Sequence, residues 1–403
     1  MAVPKLRFKA DDGSDYPEWN DFTKLEDISA FITKGATPTT YGFDWQPNGV
    51  YFFRNDCIKN NVFVYGDYSF IAEEANKFLQ RSEVTGGDIV IAITGDIGKV
   101  GLVPSEVKRA NINQHLARVR IVKDAFPYFV YMYLCSDKVQ RTYKKIKTGL
   151  SMPQLSLAQI RDTDIPVVSL LEQQKIADFL STIDTVIEKQ KETVSTWEER
   201  KKGVMQKLFS QEVRFKADDG SEFPEWEEDI GCNRINIING KPFDSKKFTT
   251  VDNGNPIIRI RDLDECTITL YSTEKYEAKY KVKKGSILIG MDGDFSVVKW
   301  NNVDVGLNQR IMHVIGKNDY IDDFMYYQLM PLIHEINVRT PFSTVKHLSS
   351  NTVLNMKLLI PCLAEQQKIA DCLSSLDEVI EKQKATLAAW EELKKGLLQQ
   401  MFV

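Results

Sequence analysis

The sequence predicts an α+β protein built by internal duplication, with two similar domains of mixed α/β fold and two long helices. Two pairs of repeated segments predict this organisation. LRFKADDGSDYPEW at Leu6–Trp19 recurs as VRFKADDGSEFPEW at Val213–Trp226. A longer segment, Leu170–Phe209, recurs at Leu363–Phe402 with 26 of 40 positions identical. Repeats of this kind indicate one structural unit that is used twice.

Each long repeat is predicted to form a single helix. Neither contains a proline, and both are rich in Glu, Lys, Gln, Leu and Ala, which favour helices. Ser169 followed by Glu172 is the pattern of a capping box, whereas the second copy has Cys362 in place of the serine. A helix of about 38 residues is about 57 Å long at 1.5 Å per residue. This length exceeds what one domain core needs, so a second packing partner is expected.

Apolar residues in both helices recur at alternating spacings of four and three, the period of a coiled-coil seam. The first seam is interrupted at Gln190 and Lys201, and the second at the equivalent Gln383 and Lys394. The predicted seam consists of Ile176, Leu180, Ile183, Ile187, Gln190, Val194, Trp197, Ile369, Leu373, Leu376, Ile380, Gln383, Leu387 and Trp390. The simplest partner for each helix is the other copy; the alternative is that each helix packs only on its own domain.

The blocks between the repeats are predicted to mix strands and helices. Strands are expected at Asp88–Thr94, Ala117–Val122, Asn255–Ile260, Ser286–Met291 and Ile311–Ile315, and helices at Pro127–Lys145 and Ile321–Val338. GGDIVIAITGDIGKVGLV followed by NINQHLARVRI in the first block corresponds to KGSILIGMDGDFSVVKW followed by VGLNQRIMHVI in the second. We therefore expect one fold with two different surfaces. The predicted domains are residues 1–168, a helix at 169–210, residues 211–362 and a helix at 363–403.

Composition and charge limit the classes of function. No apolar run approaches the roughly 18 residues that span a bilayer, and the N-terminus lacks the apolar core of a secretory leader. Six cysteines without a CxxC pair are typical of a reduced protein, so a cytoplasmic location is expected.

Net charge does not indicate a nucleic-acid-binding protein. The whole chain carries −4, residues 1–168 carry +1 and residues 211–362 carry −3. Basic residues cluster locally at Lys138–Lys147 and Lys275–Lys284, and each cluster is either a solvated face or a contact surface.

Known catalytic motifs are absent from the sequence. The segment Gly95–Gly101 has neither the GxxxxGK[ST] of a phosphate loop nor GxGxxG, and a hairpin turn explains its glycines better. The sequence has no [DN]PP[YFW], HExxH or GxSxG motif, and Asp88 and Asp96 are not followed by the Glu-x-Lys of a nuclease. We expect neither an active site nor a bound metal in this chain.

The arrangement of motifs resembles the specificity subunits of type I restriction–modification systems. The most telling element is Pro-x(4–5)-Glu-Gln-x-x-Ile-Ala, present as IPVVSLLEQQKIA at Ile165–Ala177 and IPCLAEQQKIA at Ile360–Ala370. The GDI…G…NQ pattern of each block is similar to the target-recognition domains of that family. The resemblance covers essentially the whole chain. It differs in one respect, because neither block is basic overall.

The resemblance implies a non-catalytic subunit that reads a split, asymmetric site on double-stranded DNA. Each target-recognition domain would read one half, and the two helices would pair as an antiparallel coiled coil that sets the unread spacer. The pseudo-twofold assembly would recruit two methyltransferase subunits, and two restriction subunits that translocate and cut DNA. No cofactor is expected on this chain; S-adenosylmethionine, ATP and Mg are expected in the partner subunits. No membrane association is expected.

Candidate DNA-contacting residues are the Arg, Lys, Asn, Gln, Ser and Thr side chains at predicted strand ends and loops. In the first block they are Lys34, Thr37, Arg54, Lys99, Asn113, Gln114, Lys144, Lys145 and Ser151. In the second block they are Lys241, Lys246, Arg259, Arg261, Lys299, Asn308, Gln309, Arg339, Ser343 and Lys346. The two Asn-Gln pairs occupy equivalent places, so they are alternatively part of a shared scaffold.

Two other functions remain open from the residues alone. The chain could be an adaptor in which a coiled coil carries two protein-interaction domains without binding DNA. It could also be an enzyme whose motifs differ from those searched. DNA binding that weakens as salt rises would distinguish the first hypothesis from the adaptor.

Overall fold

The structure is a computed structural model, and it describes residues 4–66, 68–122, 124–149, 151–249, 254–341 and 346–402. The chain forms two compact units. Unit 1 comprises Met1–Glu192 and Ala385–Val403, and unit 2 comprises Thr193–Lys384. Both divisions fall inside the long helices, so each unit contains one mixed domain and parts of both helices.

Unit 1 contains twelve described strands and the first five helices. The strands are β1 (Phe22–Lys24), β2 (Ser29–Lys34), β3 (Val50–Phe53), β4 (Ile58–Lys59), β5 (Val62–Phe63), β6 (Ser69–Ile71), β7 (Glu83–Val84), β8 (Ile89–Ala92), β9 (Val100–Leu102), β10 (Ala110–Ile112), β11 (Leu116–Ile121) and β12 (Asp164–Pro166). The helices are α1 (Glu73–Phe78), α2 (Pro127–Cys135), α3 (Asp137–Ile146), α4 (Leu157–Arg161) and α5 (Leu170–Phe209), of which α5 continues into unit 2.

Two four-stranded sheets form the body of unit 1. The main sheet has the order β2-β11-β8-β9 with antiparallel neighbours, and the second sheet has the order β6-β3-β10-β7. Ile89 and Ile91 of β8 belong to one buried apolar cluster with Leu134 of α2 and Leu180 of α5. Burial of this apolar surface fixes the helices against the main sheet.

Unit 2 contains the remaining described strands and helices. The strands are β13 (Glu227–Ile230), β14 (Ile235–Asn239), β15 (Phe248–Thr249), β16 (Asn255–Ile258), β17 (Leu270–Ser272), β18 (Lys281–Val282), β19 (Ile287–Gly290), β20 (Val297–Lys299), β21 (Val305–Leu307), β22 (Ile311–Gly316) and β23 (Lys357–Ile360). The helices are α6 (Gly231–Arg234), α7 (Asp322–Arg339), α8 (Ser350–Leu354) and α9 (Leu363–Met401), of which the end of α9 belongs to unit 1.

The sheets of unit 2 follow the strand order of unit 1. Its main sheet is β14-β22-β19-β20, and its second sheet is β15-β17-β16-β21-β18. In both units a parallel pair, β3 with β10 and β16 with β21, lies inside the second sheet. In both units a two-stranded sheet, β1 with β12 and β13 with β23, immediately precedes the long helix.

The expected elements are present with shifted bounds. The hairpin at Gly95–Gly101 is confirmed, because β8 and β9 pair antiparallel with Ile91 opposite Val100. The short helices expected at Pro127–Lys145 are present as α2 and α3, which are separated by Ser136 in extended backbone. Ser136 occupies the N-cap position of α3, although its side chain makes no capping hydrogen bond there.

The long helices also meet each other within each unit. In unit 2, Lys384 Nζ lies 2.9 Å from Glu198 Oε1, and Lys201 Nζ lies 2.5 Å from Asp377 Oδ1. From Glu198 to Lys201 along α5, the partner residue on α9 moves back from Lys384 to Asp377, so these segments run antiparallel. In unit 1 the equivalent pair, Lys394 with Asp184, lies 2.6 Å apart. All fourteen predicted seam residues are buried or half-buried.

A buried glutamate at the start of each long helix holds the short repeat. The Glu172 carboxylate accepts hydrogen bonds from Arg7 Nε at 3.0 Å, Arg7 Nη2 at 2.8 Å and Trp19 Nε1 at 3.1 Å. In unit 2, Glu365 accepts from Arg214 and Trp226 in the same way.

The capping-box expectation for Ser169 is therefore only half met. The Glu172 N–H donates to Ser169 Oγ at 3.3 Å. The Glu172 carboxylate, however, faces residues 153 and 165 positions away in sequence. A tertiary ion pair takes the place of the local contact.

The glutamine that follows each buried glutamate joins the helix to its domain. Gln173 Oε1 accepts from the N–H of Phe126, and Gln173 Nε2 donates to the carbonyl of Val168. Gln366 repeats both contacts with Ile321 N–H and the Pro361 carbonyl. The Glu-Gln motif is thus a junction in which the domain, the short repeat and the helix meet.

The remaining structural searches concern only the described residues. They hold no group of three or more His, Cys, Asp or Glu side chains placed to bind a metal ion. None of their helices has the length and apolarity that crossing a membrane requires.

We predict that Glu172→Ala destabilises unit 1 by about 3 kcal/mol, because Arg7 would lose its buried partner. Chemical denaturation of the variant measures the change in unfolding midpoint. Lys9→Ala is the matched control, since its pair with Asp15 is exposed and should leave the midpoint unchanged. Equal midpoints for Glu172→Ala and the native chain would contradict the proposed role of the junction.

Candidate nucleic-acid interface

Four loops of unit 1 meet at one end of the main sheet, which we call the loop end. They follow β2, follow β8, precede β11 and precede α4. The N–H of Ile93 donates to the carbonyl of His115 at 2.9 Å, and the N–H of Gly95 to that of Pro153 at 3.0 Å. These main-chain bonds bring segments that are distant in sequence onto one surface.

A glycine allows the closest approach at the loop end. A Cβ atom on Gly35 would lie 2.1 Å from the carbonyl oxygen of Asn113, and one on Gly240 would lie 1.9 Å from that of Asn308. Both glycines follow the first strand of their main sheet, β2 or β14. The same backbone contact is therefore built into both units, and it requires glycine in both.

Unit 2 forms its loop end with the same main-chain bonds. Met291 N–H donates to the Arg310 carbonyl at 3.0 Å, and Gly293 N–H donates to the Lys346 carbonyl at 3.2 Å. Asp292 and His347 form an isolated antiparallel β-bridge, as Thr94 and Gln154 do in unit 1. These bonds define which positions of the two loop ends are equivalent.

The structure brings together six of the nine candidates in the first block around the loop end. Lys34 ends β2, and Arg54 follows β3, whose last residue bonds to Asn113. Thr37 donates to Gln114 Oε1. The six are Lys34, Thr37, Arg54, Lys99, Asn113 and Gln114.

Asn113 contributes to the scaffold of this surface. It is 7% exposed, and its side-chain oxygen accepts from the N–H of His115 at 3.1 Å. Gln114 beside it is exposed. The two members of the Asn-Gln pair thus differ in access to a ligand.

A basic cleft of about 430 Å³ lies beside this surface in unit 1. Its charged lining is Lys99, Lys144, Lys147 and Asp96. The rest of the lining is Asn60, Asn61, Gly95, Ile97, Gln140 and Pro153. Lys99 Nζ lies 2.6 Å from Asp96 Oδ2, and this hydrogen bond lowers the pKa of the Asp96 carboxyl. Three ammonium groups against one carboxylate leave the cleft positive, as an anionic ligand requires.

The other two candidates of the first block flank the cleft in sequence. Lys145 is exposed on α3 next to Lys144, and Ser151 is exposed in the segment that follows this helix.

Basic candidates of the second block are largely paired with carboxylates. Lys241 Nζ lies 2.5 Å from Glu274 Oε1, and hydrogen bonds from Lys241 and from the N–H of Asp244 lower the pKa of Glu274. Arg259 Nε lies 2.9 Å from Asp262 Oδ2. Each of these two cations therefore faces a neighbouring carboxylate.

The remaining candidates of the second block occupy different environments. Lys346 is buried, and its Nζ donates to the Asn337 carbonyl at 3.0 Å. Lys299 pairs with Asp323 and lies opposite Ile287, at the far end of the main sheet from the loop end. Arg339 pairs with Glu335.

Asn308 is half-buried, and Gln309, Lys246 and Arg261 are exposed. Ser343 lies outside the described residues. The structure thus brings Lys241, Arg259, Asn308, Gln309 and Lys346 to the second loop end and places Lys299 elsewhere.

Sequence reasoning missed His115, Arg310 and His347. His115 and Arg310 directly follow the two Asn-Gln pairs. The sequence could have indicated them, because the same pair is followed by a different residue in each block. His347 had no signal in the sequence, because its place beside Asp292 depends on a bridge between distant segments.

The chain matches a known protein family. A family model described as the type I restriction modification DNA specificity domain matches residues 17–194 and 235–389. The chain belongs to this family. It is a specificity subunit, and its two matched segments correspond to the two domains that carry the loop ends.

Curated relatives are specificity subunits as well. The EcoBI specificity subunit of Escherichia coli is 35% identical over 165 residues. The aligned region covers 41% of this chain and 35% of the length of that relative. The MjaVIII specificity subunit of Methanocaldococcus jannaschii is 25% identical over an alignment covering 97% of this chain and 94% of the relative.

Solved structures share the fold at low sequence identity. The S subunit of a type I restriction-modification system from M. genitalium has a TM-score of 0.56 and 16% identity, covering 100% of this chain and 99% of that one. A chain of a type I R-M system studied for complex assembly has a TM-score of 0.51 and 16% identity, covering 95% and 97%.

We predict that Lys99→Ala, Lys144→Ala and Lys147→Ala combined weaken DNA binding and flatten its salt dependence. Each lost phosphate contact reduces the slope of log affinity against log salt by about 0.9, so the reduction should approach about 3. Titration of the specificity–methyltransferase complex with duplex DNA at several salt concentrations measures the slope.

The matched control replaces three exposed lysines of the same unit, Lys5, Lys77 and Lys108, and removes the same charge. If both triple variants change the slope equally, the basic cleft has no special role in DNA binding.

Proposed function

We propose that each unit reads one half of a split, asymmetric site on double-stranded DNA through its loop end. The observation that carries this proposal is one backbone framework with unlike side chains at equivalent positions. Ala36 corresponds to Lys241, and His115 to Arg310, through the same main-chain bonds. A shared framework with different side chains at equivalent positions suits two readers of different sequences.

The loop end has the chemistry that base and phosphate contacts require. Its exposed or half-buried side chains include amides, hydroxyls and cations, such as Gln114, Thr37 and Lys99. Amides and guanidinium groups distinguish bases by their hydrogen-bond patterns in the major groove, whereas ammonium groups bind phosphates.

We also propose that α5 and α9 form one antiparallel coiled coil relating two copies of a duplicated fold by a pseudo-twofold axis. The equivalent pairs Lys201–Asp377 and Lys394–Asp184 support this arrangement, because a polar seam residue meets the opposite helix in each unit. Polar pairs in a seam favour one register over others. A fixed register would set the distance between the half-sites.

The proposed partners are those implied by the family. Two methyltransferase subunits would bind the framework, and two restriction subunits would join for cleavage, with S-adenosylmethionine, ATP and Mg held by those subunits. Duplicated framework segments, such as the short repeats at Leu6–Trp19 and Val213–Trp226, offer the same surface twice. This supports a partner that binds in two copies. The chain itself would make and break no bonds.

Methylome sequencing of a cell that expresses the chain with its methyltransferase tests the proposal. We expect one methylated motif with two unlike halves and a constant unread spacer. A motif without a spacer, or DNA binding independent of salt, would favour the adaptor alternative.

We predict that a heptad inserted into both helices changes the spacer. Seven residues inserted between Glu192 and Thr193, and seven between Lys384 and Ala385, leave both Lys–Asp pairs intact and add about 10 Å of helix. This rise corresponds to about 3 base pairs of duplex. Methylome sequencing of the variant reads the spacer directly, and an unchanged spacer would refute the role of the helices as a ruler.

The control inserts seven residues between Gln211 and Glu212, beyond the end of α5. At this linker the Val213 N–H donates to the Lys207 carbonyl, and at the equivalent place the Leu6 N–H donates to the Gln400 carbonyl, although Leu6 and Gln400 are distant in sequence. The control should keep the native spacer.

A further inference from the structure

Arg310 differs from its counterpart in unit 1 while the surrounding backbone is the same. Its carbonyl accepts from Met291 as that of His115 accepts from Ile93, and both residues follow an Asn-Gln pair. A residue that differs at one position of a shared framework serves what the two units do differently. In this chain that difference is the half-site each unit reads.

Asp292 holds the Arg310 guanidinium by one edge. Arg310 Nε lies 3.2 Å from Asp292 Oδ2, while Asp292 Oδ1 lies 2.6 Å from His347 Nδ1. Asp292 is thus fixed between two partners, and its side chain is only 24% exposed. Unit 1 has Thr94 at this position, which provides no carboxylate.

The rest of the Arg310 side chain faces solvent. It is 53% exposed, although its Nε is held. A guanidinium has five N–H donors in a planar fork, so an ion pair at Nε is compatible with a two-fold contact by the terminal nitrogens. Fixing the plane in advance reduces the entropy lost on binding.

Other basic groups at this loop end are less suited to contact a base. Lys241 and Arg259 are held by Glu274 and Asp262 with side chains that are mostly buried, and Lys346 is buried. Of the four described side chains Arg310, Lys241, Arg259 and Lys346, only Arg310 combines exposure with a fixed orientation.

We propose that Arg310, oriented by Asp292, reads a guanine in the second half-site. Guanine offers O6 and N7 as adjacent acceptors in the major groove, and a paired donation from arginine is the commonest contact to that edge. This inference rests on the proposed function, since it assigns one base of the half-site that unit 2 reads.

Methylome sequencing of complexes with Arg310→Ala and Arg310→Lys tests the assignment. A paired arginine–guanine contact is worth 1–3 kcal/mol, so both variants should reduce the preference for one guanine of the second half-site by roughly 5- to 150-fold. The first half-site and the spacer should not change. Arg310→Lys retains the charge, so loss of preference there identifies the fork rather than the charge.

Transfer of the pair to unit 1 provides a gain-of-function test. Thr94→Asp combined with His115→Arg should introduce a guanine preference into the first half-site. Lys299→Ala is the control in unit 2, because it removes a cation at the far end of the sheet and should leave the motif unchanged.

The outcomes separate the two proposals. A native motif with two halves and no guanine in the second half would overturn the role assigned to Arg310 but not the proposed function. Retention of every guanine in both Arg310 variants would do the same. If the native complex methylates no split motif, the proposed function itself fails.

Discussion

The buried carboxylate at the start of each long helix is the interaction on which the rest of the structure depends. Glu172 and Glu365 are fully buried, and each binds the arginine and the tryptophan of its short repeat. A buried carboxylate without partners would be unstable, so the short repeat, the helix and the domain must assemble together. The loop end is built on the domain that this junction holds.

Duplication of this junction explains why some segments of the chain are nearly identical in the two copies and others differ. Residues that build the junction are repeated almost unchanged, because any substitution would leave a buried charge or amide without its partner. Fewer residues of the loop ends are constrained in this way. The exceptions are Gly35 and Gly240, where a side chain would collide with the backbone, and the buried Asn113, whose side chain supports the surface. Divergence is therefore concentrated where a ligand would bind.

Local sequence patterns predicted the helices and strands, but they did not predict the contacts between residues that are distant in sequence. The bounds of α5 followed from its repeat, and the hairpin at Gly95–Gly101 followed from its glycines. The role of Glu172 did not, since its partners lie more than 150 residues away. Likewise, the sequence showed Lys241 and Lys346 as cations but not the carboxylate that holds the first or the burial of the second.

A chain with two copies of one block tests the central claim most directly. Residues 20–165 would be replaced by a second copy of residues 227–360, with both long helices and both short repeats retained. Methylome sequencing of the resulting complex should give an inverted repeat, in which both halves equal the second half of the native site. A motif that keeps the native first half would contradict the account, because specificity would then reside in the framework and not in the loop ends.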